Sequence, residues 1–254
     1  MRRHTALITG ATAGIGAELA RQLAAKQVNL VLVARTADRL EALAAELSAA
    51  HGVTAAAFPC DLADPDDLER LAERVADAAH PIDILVNNAG FGIHAQFESS
   101  PVADERRLFE VLAWAPVRLS HAAVPGMLER GHGWILNVAS VAAFTPTGTY
   151  GAVKAAVVSL SRSLNARYRS QGLHVTALCP GMVRTEFHER MGADGAERLP
   201  SIAWADARTV ARDGIRALRR GRSVVVADWR YRLLQPLVHV LPDRLTERVS
   251  STAL

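Results

Sequence analysis

Tyr150 and Lys154 stand four positions apart, so on a helix a phenol and an ammonium would share one face. A free phenol titrates near pKa ~10, and a cation beside it favours the phenolate, moving the group toward the pH at which it can pass a proton. Composition sets the pair apart: of 29 Lys and Arg residues, only Lys26 and Lys154 are lysines. A chain that writes Arg almost everywhere and Lys here points to a task for a compact, titratable cation rather than a planar guanidinium.

The second group of interest is Gly10-Ala11-Thr12-Ala13-Gly14-Ile15-Gly16. An apolar run at 5–9, suited to a buried strand, feeds into it, and a helical pattern at 17–26 follows. In that context glycines let the backbone turn tightly against a pyrophosphate, whose charge is met by N–H groups at the helix start. A second apolar strand at 28–34 ends in Ala34-Arg35, with Arg39 one helical turn on. An acid at this place would bind a ribose 2′-hydroxyl, whereas Arg suits a 2′-phosphate, so the expected cofactor is NADP(H) in preference to NAD(H).

These groups need a scaffold, and the remaining pattern supplies one. Apolar runs at 53–58, 82–86, 134–139, 173–178 and 223–227 alternate with helical stretches to about 50 and at 65–79, 103–130 and 150–171. Strands alternating with helices predict an α/β fold with a doubly wound parallel sheet. Ligands of such sheets sit beyond the strand carboxyl ends, where the glycine loop, Arg35, Asp61 and Asn88 all fall.

A length of 254 residues with 50% hydrophobic content is compatible with one domain over 1–254, and no linker or internal repeat interrupts it. The net charge of +3 is small but uneven, with ten Arg against four acids from Arg208 onward. Without interleaved aromatic and basic residues, this favours a solvated surface over nucleic-acid binding, and the expected partner is a small molecule. Cys60 and Cys179 have no metal-ligand spacing and read as reduced, packed thiols, and no metal is expected. The apolar run after Met1-Arg2-Arg3-His4 breaks at Gly10, and no stretch of ~20 apolar residues occurs, so a cytoplasmic location is expected.

In order, the chain carries Thr9-Gly10-x-x-x-Gly14-Ile15-Gly16, Asn87-Asn88-Ala89-Gly90, Ser140, Tyr150-x-x-x-Lys154 and Pro180-Gly181-x-Val183-x-Thr185. This set resembles the short-chain dehydrogenase/reductase family over nearly the full length, to about residue 230. The resemblance implies a Rossmann-type sheet of about seven strands in the order 3-2-1-4-5-6-7, with helices on both faces. It implies Tyr150 as general acid/base, Lys154 as the group that lowers its pKa and holds the nicotinamide ribose, and Ser140 as a hydrogen bond to the substrate oxygen. It also implies cofactor contacts at Gly10, Thr12, Ala13, Gly14, Ile15, Asp61, Leu62, Asn88, Ala89, Gly90, Pro180, Gly181, Val183 and Thr185. The expected reaction is hydride transfer between the nicotinamide and an apolar ketone, aldehyde or secondary alcohol.

Two departures from the family pattern bear on catalysis. Leu112 stands where the family usually carries an Asn that supports a proton-relay water, and Ser140 precedes Tyr150 by only ten positions, a shorter loop than usual. Residues 187–205 occupy the place of a substrate lid. Phe91, Ile93, Phe144 and Phe187 are expected near an apolar pocket, with His94 a further candidate. The Arg-rich extension 228–254 reads as a subunit contact or lid in preference to a membrane helix, and family members are commonly homodimers or homotetramers. Two alternatives stand beside the enzyme: a non-catalytic NADP-binding sensor, which both departures permit, and a methyltransferase, which Arg35 disfavours.

Overall fold

The computed structural model describes residues 2–93, 95–183, 204–228 and 230–232. Seven parallel strands form one sheet in the order β3-β2-β1-β4-β5-β6-β7: Thr5–Thr9, Asn29–Ala34, Ala55–Pro59, Ile84–Asn87, Gly133–Val138, Leu173–Cys179 and Val224–Val226 for β1 to β7. The expected strand order is thus observed. The interior strands are near-continuous runs of buried Leu, Val, Ile and Ala because helices cover both faces.

Helices α1 (Gly14–Ala24) and α2 (Ala37–His51), with α7 (Ala207–Arg219), seal one face, and α3 (Pro65–Ala76) and α5 (Ala115–Glu129) the other. On α7, Val210, Ala211, Ile215 and Leu218 bury one stripe; the larger of these side chains contribute about 1.5–3 kcal/mol each when fully buried. Local signals agree with these boundaries. Asp64 caps α3 by accepting from the N–H groups of Asp66 and Asp67, with Pro65 at the first position. Gly52 closes α2 in the left-handed region at φ 62°.

The structure differs from the expected single helix over 103–130. That stretch is α4 (Val102–Phe109), one π-helical turn (Glu110–Trp114) and then α5. Hydrophobic periodicity cannot register one inserted residue in a turn, and π turns of this kind gather at functional sites.

Because β1 lies between β2 and β4, the loops leaving β1 and β4 diverge in opposite directions and open a crevice at the carboxyl edge of the sheet. The opposite edge is stapled by Asp83. Its fully buried carboxylate accepts from the Thr5 N–H at 2.9 Å and from Arg2 at 2.7 Å.

Candidate active site

The glycine loop follows β1. Gly10 adopts φ 65° and Gly14 φ 53°, conformations that side chains bearing a Cβ rarely take. A Cβ on Gly16 would run into the Gly10 carbonyl oxygen, so the loop is folded back on its own helix. Thr9 and Asn88 hold it from the β4 side. The Thr9 hydroxyl accepts from the N–H groups of Asn88 and Ala89 at 3.0 and 3.1 Å, and the Asn88 amide donates to the carbonyls of Thr9 and Gly10 at 2.9 and 3.1 Å. Asn88 therefore braces the loop as well as bordering the crevice. No side chain caps the start of α1 at Ala13, which leaves the N–H groups around Thr12, Ala13, Gly14 and Ile15 suited to an anion.

Arg35 is exposed at the end of β2 and, among the described residues, has no ion-pair partner. Across the crevice, Asp61 accepts two hydrogen bonds from Arg107 of α4, at 2.7 and 3.0 Å. Burial raises the Asp61 pKa, but the Arg107 hydrogen bonds, the Ala63 N–H and the Arg107 and Arg35 charges together outweigh it and hold the carboxyl below its ordinary value. Leu62 is buried beside it. Arg107 escaped the sequence reading; its one signal was the Arg106-Arg107 pair in the helix after Asn-Asn-Ala-Gly.

Helix α6 (Gly148–Tyr168) carries Tyr150 and Lys154 on one face, as the spacing predicts. The phenol is hydrogen-bonded to the Ser140 hydroxyl, and Lys154 Nζ lies 5.6 Å from the centre of the Tyr150 ring. The short loop between Ser140 and Tyr150 closes through a 3₁₀ turn, Val141–Phe144, begun by the Ser140 hydroxyl accepting from the Ala142 N–H at 3.1 Å. It can press against α6 because residue 151 is glycine: a Cβ there would meet Thr147 Oγ1 and the Ala142 and Thr145 carbonyls. The shorter spacing thus still brings the two hydroxyls together.

The electrostatics differ from the simple expectation of an ammonium that lowers the phenol's pKa. Burial pushes Tyr150 up to about 12, against a smaller downward pull from the Ser140 hydrogen bond. Burial also pulls Lys154 down to about 8. The reason is geometric: Lys154 Nζ turns to the Val138 carbonyl, to which it donates at 2.9 Å, and leaves desolvation dominant at the phenol.

Lys154 and Leu112 both border Gly90. The Leu112 side chain, 1% exposed in the π turn, and the ammonium each lie 3.8 Å from where a Cβ on Gly90 would stand. Beneath them a buried polar chain crosses the sheet: Asn87 donates to Asn137 at 2.8 Å, Asn137 to Ser161 at 2.9 Å, and Ser161 to the Val157 carbonyl at 2.7 Å. Asn87 opens the Asn87-Asn88-Ala89-Gly90 motif while Asn137 and Ser161 fall inside a strand and a helix, and only the pairing of Asn87 opposite Asn137 reveals the chain.

The Pro180-Gly181-Met182-Val183 segment joins the site through the Val141 N–H, which donates to the Pro180 carbonyl at 2.9 Å. The Tyr231 ring rests where a Cβ of Gly181 would stand, and its hydroxyl accepts from the Met182 N–H at 3.1 Å. The start of the 228–254 extension is therefore seated on this loop, a contact across 49 positions that no local pattern signals. Phe91 and Ile93 pack in the cluster that includes Tyr150, and Phe144 in the one that includes Tyr231. Thr185, Phe187, His94 and residues 187–203 of the expected lid lie outside the described residues.

The comparisons with known proteins agree with this geometry. The short chain dehydrogenase sequence pattern matches residues 4–195. A fatty acyl-CoA reductase of Mycobacterium tuberculosis is 38% identical over 208 residues, covering 79% of this chain and 69% of the relative. A short-chain dehydrogenase from Sphingobium yanoikuyae, solved in complex with NADPH, superposes with a TM-score of 0.84 at 34% identity, covering 94% of this chain and 96% of that one. A bulky-bulky ketone specific alcohol dehydrogenase from Comamonas testosteroni gives a TM-score of 0.80 at 31% identity, with 95% and 96% covered. With the fold, the glycine loop and these matches in agreement, the chain belongs to the short-chain dehydrogenase family of nicotinamide-dependent oxidoreductases.

Proposed function

We propose that the protein is an NADP(H)-dependent carbonyl reductase that acts on apolar ketones or aldehydes and, in reverse, on secondary alcohols. The observation that carries this reading is the hydrogen bond between the Tyr150 and Ser140 hydroxyls beside the buried ammonium of Lys154. Two hydroxyls so joined can turn toward one carbonyl oxygen. Ser140 then donates to the oxygen and stabilises its developing charge, and Tyr150 delivers the proton. Lys154 stabilises the phenolate left behind and has N–H donors beyond the one given to Val138 for a ribose hydroxyl.

The bound nicotinamide would supply the hydride. The N–H groups around Gly10, Thr12, Ala13, Gly14 and Ile15 would take the pyrophosphate, and Arg35 the 2′-phosphate. Asp61 and Leu62 would meet the adenine, Asn88, Ala89 and Gly90 would form the floor, and Pro180, Gly181, Val183 and Thr185 would flank the nicotinamide. The open helix start and the exposed Arg35, without an ion-pair partner among the described residues, support this assignment. Phe91, Ile93 and Phe144 favour an apolar substrate, in keeping with the ketone and acyl specificities named for the relatives.

A non-catalytic NADP-binding sensor is the second reading, favoured by the apolar Leu112 beside Gly90. A panel of aldehydes and ketones with NADPH separates the two: the enzyme consumes NADPH with at least one carbonyl, and Tyr150→Phe then lowers kcat by about 10²–10⁴. NADPH binding without turnover across the panel would establish the sensor, and wild-type turnover by the Phe variant would remove Tyr150 as the acid.

We further propose a homodimer or homotetramer in the cytoplasm. The exposed Phe109, Trp114 and Val117 along α4 and α5 support association, and the two free, buried cysteines support a reducing compartment. Among the described residues no helix is long and apolar enough to cross a membrane. A single species of monomer mass in light scattering would refute the oligomer.

A further inference from the structure

The opposite edge of the sheet holds a cavity that plays no part in the chemistry above. It has a volume of about 360 Å³ and lies between α1 and α7, walled by Leu19, Leu23, Ile215 and Leu218 with Trp134 in its lining. That volume falls in the range of small-molecule sites. Lys26, just past the end of α1, and Arg219, the last residue of α7, also line it.

Both cations are exposed, and neither has a carboxylate partner among the described residues. A cation at a helix C-terminus commonly offsets the carbonyl end of the dipole, but those carbonyls are already occupied. Leu23 O accepts from the Lys26 and Val28 N–H groups, Ala24 O from Gln27, Ala217 O from Arg220 and Arg222, and Leu218 O from Gly221. The two side chains are thus available to something entering the cavity.

The surrounding charge selects its sign. His4 lines the cavity, and its Nδ1 sits 3.4 Å from Asp83, whose ligand atoms and those of His4 and His132 lie within 4.8 Å of one another. That trio is unsuited to a metal ion: Asp83 already meets the Arg2 guanidinium at 2.7 Å and that of Arg130 at 4.0 Å, so a cation would face two fixed positive charges. The charge left to meet a ligand in the cavity is that of Lys26 and Arg219, which favours an anion.

We propose that this cavity binds an amphiphilic monocarboxylate, with an aliphatic or aromatic tail against Leu19, Leu23, Ile215 and Leu218 and its carboxylate between Lys26 and Arg219. An apolar wall with one pair of cations at its mouth matches a single anionic head on an apolar body.

Calorimetric titration of the full-length, NADPH-saturated protein with decanoate tests this. Decanoate should bind at least about tenfold more tightly than decanol or decyltrimethylammonium. Lys26→Glu with Arg219→Glu, both on exposed side chains, should weaken it by about tenfold or more while NADPH affinity is unchanged. Leu23→Trp, which fills the cavity, should also remove binding, and the charge-reversal pair remains decisive if that variant does not fold. Absence of binding, equal binding of decanol, or decanoate affinity within about twofold in the charge-reversed protein would overturn the proposal. Carbonyl turnover is not the readout, so the outcome is independent of the proposed enzymatic function.

Discussion

Leu112 and Lys154 both border Gly90: the Leu112 Cγ and the Lys154 Nζ each lie 3.8 Å from the position a Gly90 Cβ would take. Burial lowers Lys154 to about 8, and an aliphatic side chain at this position brings no polar group to offset it. Leu112→Asn should raise the Lys154 pKa, extend carbonyl reduction to higher pH and lower stability by about 1–3 kcal/mol through a polar group in the core. A pH–rate profile beside a thermal melt checks all three.

The pH dependence follows from two opposed shifts. Between about 8 and 10.5 the folded protein has lost a Lys154 proton that the unfolded chain keeps, so this residue makes stability rise with pH in that window. Tyr150 acts oppositely between 10 and about 12, where the folded protein keeps a proton the unfolded chain has lost, so its contribution falls as pH rises. Denaturant melts of wild type and Lys154→Met should diverge in slope from about pH 8 upward. The kcat/KM for reduction should fall on an alkaline limb near 8 as Lys154 loses its charge.

Arg35 is expected to discriminate between the cofactors. Arg35→Asp should weaken NADPH binding by about tenfold or more, the scale of one charge-assisted hydrogen bond, and leave NADH binding unchanged or improved. Parallel fluorescence titrations with the two nucleotides measure it.

Arg107 should behave differently, because it holds Asp61, which on the proposed assignment meets the adenine that both nucleotides share. Arg107→Ala should weaken NADPH and NADH alike and let the Asp61 pKa rise, since the hydrogen bonds that offset its burial are lost. A selective effect on NADPH would instead place Arg107 at the 2′-phosphate.

Asp83 is predicted to matter for stability alone. Asp83→Ala leaves Arg2 and the Thr5 N–H without their shared acceptor and Arg130 without the carboxylate 4.0 Å away, at a cost of about 3 kcal/mol. The melting temperature should drop while NADPH affinity measured below the transition is retained.

The sequence alone determined the seven-strand α/β sheet, the glycine turn and the Tyr150–Lys154 face, because continuous apolar runs, period-3.6 patterns and four-residue helical spacing are local properties of a chain. The tertiary structure decided what surrounds them. It turned Lys154 toward Val138 and set Leu112 in a π turn, and desolvation rather than the neighbouring ammonium governs Tyr150. Arg107 on Asp61 and Tyr231 on Met182 are contacts across 46 and 49 positions. Such pairings, and the dryness that sets a pKa, arise only when the sheet order brings distant segments together and excludes water between them.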